Sequence, residues 1–188
     1  MTSTINLGVA PFAGPTRHRQ GLMAETTGKF QMKTSPKSSS KRVQRLLLVD
    51  DDASVRDSLS EVLVVEGYVV IPAQDGQEAV ALAAAAPVDI VLLDLNMPRK
   101  NGWDTFEQLT REHPGLPIII VTARPYQLFT AVAAGVGALL EKPIDIPILL
   151  RTIQRLLAEP VSTRLARLAG LETEFHYAGR PQVIPRPV

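Results

Sequence analysis

Five short apolar runs, each separated from the next by a stretch of helix length, constrain this chain more than any other feature. They are RLLLV (45–49), YVVIPA (68–73), DIVLLD (89–94), PIIIVT (117–122) and GALLE (137–141). Runs this apolar, several rich in β-branched residues, suit strands buried on both faces. Between them, residues 53–66 place Val55, Leu59, Val62 and Leu63 at helical intervals, and residues 75–85 are alanine-rich, with high helix propensity. Residues 103–113, 126–134 and 146–158 complete the helical set. Gly67, Gly115 and Gly135 fall where helices should stop. Asp52 and Asp75 fall where a short carboxylate can take the free amides of a first turn.

Strand–helix units with short links demand a parallel sheet, because parallel neighbours need crossover connections. The expectation is therefore an α/β domain over residues 45–158, a doubly wound five-stranded parallel sheet. Right-handed crossovers leave few arrangements, and the flavodoxin-like order 2-1-3-4-5 is the one expected. In such a sheet the ligand crevice lies beyond the carboxyl ends of the strands, where strand order reverses. The residues at those ends are Asp50 and Asp51, then Asp94, then Thr122, then Lys142. Crowded carboxylates repel one another unless a counter-charge joins them. A hard divalent ion such as Mg2+ (or Mn2+) takes carboxylate, carbonyl and water oxygens, and a lysine ammonium adds a compact second positive charge. A carboxylate so placed can attack phosphorus to give an aspartyl phosphate, with hydroxyl and ammonium donors offsetting the developing charge. Asp94 suits the nucleophile because it ends the central strand. Asp51 would bind metal directly, Asp50 would assist through a water, and the backbone carbonyl of Asn96 would complete the protein ligands. Thr122 would donate to the phosphoryl group.

The segments LLLVDDDASVRDSL, DIVLLDLNMPRKNGWD, PIIIVTAR and LEKPID, in this order and spacing, resemble the receiver domain of two-component response regulators. The resemblance implies phosphotransfer to Asp94 from a sensor histidine kinase or a histidine phosphotransfer protein, dependence on Mg2+, and a change in the surface built around the fourth helix and fifth strand. It implies a phosphoacceptor rather than an enzyme with turnover. Metal-dependent phosphatases with an aspartate nucleophile usually carry a second acid two residues later, where this chain has Asn96. The alternative is a degenerate receiver, a binding module that works without phosphorylation. Two departures stand out. Leu139 occupies a place where many receivers carry an aromatic, and Arg124 follows Thr122 by two residues, where its guanidinium could shield the phosphoryl group from water.

The chain of 188 residues has no cysteine, which excludes thiolate nucleophiles, thiolate metal sites and disulfides. Residues 1–44 are rich in Gly, Pro, Ser, Thr and Lys without hydrophobic periodicity, and carry seven bases against the single acid Glu25. They read as a disordered basic arm, in preference to the organelle transit peptide that they loosely resemble. Residues 45–158 hold 15 acids and 9 bases. The expectations are a cytoplasmic protein with no membrane contact and no nucleic-acid partner, since the basic arm lacks interleaved aromatics. A downstream protein partner would read the switch, and homodimerisation stays open. Residues 159–188 read as a tail, partly helical or disordered, too short for an output domain. A stand-alone receiver follows.

Overall fold

Each of the five apolar runs forms a strand: β1 (Arg45–Val49), β2 (Val69–Ala73), β3 (Ile90–Asp94), β4 (Ile118–Thr122) and β5 (Ala138–Glu141). The helices between and after them are α1 (Ala53–Val65), α2 (Gly76–Ala85), α3 (Gly102–Glu112), α4 (Leu128–Ala133) and α5 (Ile146–Ala158). The structure, a computed structural model, describes residues 42–97, 102–124, 126–171 and 174–179. All but the last three residues of the expected N-terminal arm, and residues 180–188 of the tail, lie outside the described residues.

The strands pair in parallel in the order β2-β1-β3-β4-β5, as expected, with a sixth strand beyond β5. Side chains alternate between two faces, so each strand feeds two cores. Leu47, Val49, Leu93, Ile120 and Leu139 pack on one side with α2, α3 and α4. Leu46, Leu48, Leu92, Ile119 and Leu140 pack on the other with α1 and α5. Every residue of β3 and β4 is buried, which is why those two runs are apolar almost throughout. Truncating a side chain such as Leu93 to alanine would cost about 2–5 kcal/mol.

Local chemistry fixes the helix starts. The Asp52 carboxylate accepts from the N–H groups of Ser54 and Val55, and Asp75 accepts from Gln77 and Glu78. Asp145 does the same for α5 through Ile148. Gly102, the first residue of α3, is glycine because there is no room for a side chain. A Cβ there would lie 2.5 Å from the Leu95 Cα and 2.7 Å from the Asp94 carbonyl oxygen. The helix therefore seats its first residue directly on the backbone at the end of β3.

The sheet departs from expectation at its far edge. Among the described residues it has six strands instead of five: after α6 (Val161–Leu168), β6 (His176–Ala178) pairs in parallel with β5. A three-residue run, HYA, carries no periodicity from which a strand could be read. Its backbone takes the strand form because β5 would otherwise present an unpaired edge. α6 is tied to the end of α5 by Arg167, whose two terminal nitrogens donate to the two Glu159 carboxylate oxygens at 2.7 and 2.8 Å.

Candidate functional site

The carboxyl ends of β1, β3, β4 and β5 bring the expected residues together. Asp50 and Asp94 are 3% exposed and Thr122 is fully buried, while Asp51 faces solvent. Asp50, Asp51 and Asp94 each offer a carboxylate oxygen within 4.8 Å of the others. The Lys142 ammonium bridges two of them, donating to Asp50 Oδ2 at 2.9 Å and to Asp94 Oδ2 at 2.8 Å. Burial alone would lower the Lys142 pKa. The hydrogen bonds to Asp94 and Asp50, with the charges of both, outweigh it and hold the ammonium above its ordinary range.

The remaining oxygens are held by backbone. Asn96 N–H donates to Asp94 Oδ1 and Asp52 N–H to Asp50 Oδ1, each at 2.9 Å. The nucleophile candidate is thus fixed at both oxygens by groups from two chain segments. Thr122 Oγ1 accepts the Arg124 N–H at 2.9 Å, which leaves its hydroxyl hydrogen to donate elsewhere. The N–H of Lys142 donates to the Thr122 carbonyl at 2.9 Å and joins the last two strand ends.

Asn96 meets Asp94 through its N–H, whereas the sequence pointed to its carbonyl. Its side-chain oxygen is buried without a hydrogen-bond partner among the described residues. Asp52 caps α1 and contributes its N–H, not its carboxylate. Arg56 was not anticipated. Its guanidinium donates to the Asp50 backbone carbonyl at 2.7 Å and so braces the loop that carries the acidic pair. A signal was present, since a base near a helix start opposes the helix dipole and needs a local acceptor. Trp103, at the start of α3, donates its indole N–H to Gln127 at 3.1 Å and meets Phe106 edge to face. It is an anchor between α3 and α4.

Three carboxylates face one ammonium, an imbalance suited to a divalent cation with oxygen ligands. Hard oxygen donors from Asp50, Asp51 and Asp94 fit Mg2+ or Mn2+ better than a softer metal.

A family model described as the response regulator receiver domain matches residues 46–154, more than half of the chain. The chain belongs to that family. This receiver domain is 41% identical over 105 residues to the transcriptional regulatory protein CpxR of Klebsiella pneumoniae, covering 55% of this chain and 44% of that protein. It is 41% identical over 115 residues to the response regulator MprA of Mycolicibacterium vanbaalenii, covering 60% and 50% respectively. The chain spans about half the length of the curated relatives it matches. Among solved structures, a CheY-like receiver domain protein from Methanospirillum hungatei is 31% identical with a TM-score of 0.58, covering 61% of this chain and 94% of that one. The response regulator TrrA of Thermotoga maritima, solved with Mg2+ and BeF, is 26% identical with a TM-score of 0.57, covering 61% of this chain and 99% of that one.

These relatives change two expectations. One is named a transcriptional regulator, which removes the ground for excluding nucleic acid as a partner. Both relatives are about twice as long as their matched part, so the comparisons give no support to a stand-alone form. Among the described residues, no helix is long and apolar enough to cross a membrane.

Proposed function

We propose that Asp94 accepts a phosphoryl group from a phosphohistidine, on a sensor histidine kinase or a histidine phosphotransfer protein, and that the modified domain acts as a signalling switch. An Asp94 carboxylate oxygen forms the new bond to phosphorus as the phosphorus–nitrogen bond breaks, and the departing imidazole keeps the electron pair and takes up a proton. The observation that carries this reading is the Lys142 ammonium, set between Asp50 and Asp94 at 2.9 and 2.8 Å with the Asp51 carboxylate beside them. An ammonium already on the nucleophile's oxygen can pass to a phosphoryl oxygen with little movement.

Asp50, Asp51, Asp94 and the Asn96 carbonyl would hold the Mg2+ or Mn2+. When bound, the ion neutralises charge developing on the phosphoryl oxygens. Thr122 donates its hydroxyl to that group, and the Asn96 N–H keeps Asp94 oriented. The domain is an acceptor, not an enzyme with turnover. Its output is a changed protein-interaction surface or onward transfer of the phosphoryl group. A phosphoryl group adds charge and acceptor oxygens at one point and biases two states of the surrounding loops.

Intact-mass measurement after incubation with acetyl phosphate and Mg2+ tests this. One added phosphoryl group is expected on the wild type, and none on Asp94→Asn or in excess chelator. Normal uptake by Asp94→Asn would overturn the assignment. Absence of uptake by the wild type would favour a binding module that works without phosphorylation.

A further inference from the structure

β6 ends one residue short of the acceptor site, and a side chain covers the gap. In the ladder, Leu139 and Leu140 face Tyr177 and Ala178, and β6 goes no further. Glu141 is held on its other side, where it faces Thr122 in β4. Tyr177 lies on the same sheet face as Leu139 and Glu141 by strand alternation. Its hydroxyl reaches forward and donates to Glu141 Oε1 at 2.7 Å. The seat of the ring is built in: a Cβ on Gly179 would collide with the Tyr177 ring and hydroxyl and with the Glu141 carboxyl carbon. Lys142, the residue after Glu141, carries the ammonium that spans Asp50 and Asp94.

We propose that Tyr177 is a positioning residue of the phosphoacceptor site, acting through Glu141 to fix the backbone from which Lys142 reaches its two carboxylates. This rests on the acceptor reading above and deepens it. A lysine is long and has many rotamers, so placing its nitrogen on two oxygens at once requires a backbone held to a few tenths of an ångström. β4 holds that backbone from one side through Lys142 N–H and the Thr122 carbonyl. Tyr177 holds the Glu141 side chain, one residue before Lys142, from the other. The C-terminal segment is thus part of the site and not an appendage.

The experiment compares wild type, Tyr177→Phe, Glu141→Ala and Glu141→Gln, the last of which keeps an acceptor oxygen for the tyrosine. Two quantities are read: the maximum rate of labelling by acetyl phosphate under saturating Mg2+, and the 15Nζ resonance of Lys142 in the unmodified protein. Tyr177→Phe and Glu141→Ala should each slow labelling roughly three- to tenfold, the effect of one ordinary hydrogen bond. Both should shift the Lys142 resonance, and neither should change half-saturating Mg2+. Glu141→Gln should stay near wild type in both. If the variants label at the wild-type rate with the resonance unmoved, the inference falls while the acceptor reading stands. If the wild type takes no label, that reading falls. The resonance then decides the positioning role alone, with a shift supporting it and no shift overturning it.

Discussion

Two charge clusters sit at opposite rims of the sheet, and they are near mirror images. At the carboxyl rim, one ammonium serves three carboxylates: Lys142 with Asp50, Asp94 and, beside them, Asp51. At the amino rim, one carboxylate serves two guanidiniums: Glu159 with Arg167 at 2.7 Å and Arg164 at 3.5 Å. The difference lies in where the excess charge goes. Arg164 gives its two terminal nitrogens to the carbonyls of Gly115, Leu156 and Glu159, at 2.8, 2.8 and 2.6 Å, while its Nε and that of Arg167 are buried without a hydrogen-bond partner among the described residues. Two of those carbonyls belong to the end of α5, where the helix dipole is negative. There the surplus cation is taken up by backbone carbonyls. The acidic cluster instead leaves its third carboxylate facing water, where an ion and a phosphoryl group can enter. A count of charges does not separate a structural cluster from a reactive one; the satisfaction of the surplus does.

The largest expected effect separates the two clusters by function. Asp94→Asn should abolish labelling yet leave stability near wild type or above it, since one charge leaves a self-repelling group. Arg167→Met should do the reverse. It strips the mostly buried Glu159 of its bidentate partner and lowers stability by about 2–3 kcal/mol, while label still enters. Denaturant unfolding and mass measurement on both proteins check this. Loss of labelling in a folded Arg167→Met would erase the distinction between a structural and a reactive cluster.

The reactive cluster was far more legible in the sequence than the structural one. Asp50, Asp94, Thr122 and Lys142 stand at the ends of strands that announce themselves, because β1, β3 and β4 are buried almost throughout. Knowing the strand ends and the switch point was enough to converge them. Glu159, Arg164 and Arg167 straddle Pro160 after the last helix of the expected domain, and nothing in their spacing says that a carboxylate and two guanidiniums will turn inward together. β6 was illegible for a related reason. His176, Tyr177 and Ala178 become a strand only because the β5 edge is there to pair with. Sequence patterns report what a segment does with its own faces, and these residues act through the faces of others.

A smaller effect concerns pH at the carboxyl rim. In metal-free protein the Lys142 pKa lies above the ordinary 10.5, because its bonds to Asp94 and Asp50 outweigh burial. A raised folded pKa gives stability that is complete below the unfolded value and lost as pH rises through the folded one. Stability of the wild type minus that of Lys142→Met, measured in chelator, should therefore be flat through neutral pH and decline only above about pH 10. A decline centred near neutrality would mean that the ammonium is not held by the two carboxylates.

The smallest effect tests the cationic side of the comparison where the C-terminal segment meets α5. His176 begins β6, with Nδ1 3.2 Å from a guanidinium nitrogen of Arg155. Burial first, then the charges of Arg155 and Arg151, lower its pKa from the ordinary 6.5. For a base whose folded pKa is depressed, stability is complete above the unfolded value and falls as pH drops toward the folded one. Protonation would add a third cation beside two arginines, and the local response should be fraying of β6. Hydrogen exchange at the Tyr177 and Ala178 amides, corrected for intrinsic rates, should quicken about two- to fivefold between about pH 7.5 and about pH 5.5. His176→Asn keeps a polar partner for Arg155 but cannot titrate, so its exchange should be independent of pH over that range. If the asparagine variant frayed equally on acidification, the cause would lie in the carboxylates that hold the segment, Glu141 through Tyr177 and Glu174 through Arg155. Those carboxylates, not the histidine, would then be the acid-sensitive part of this edge.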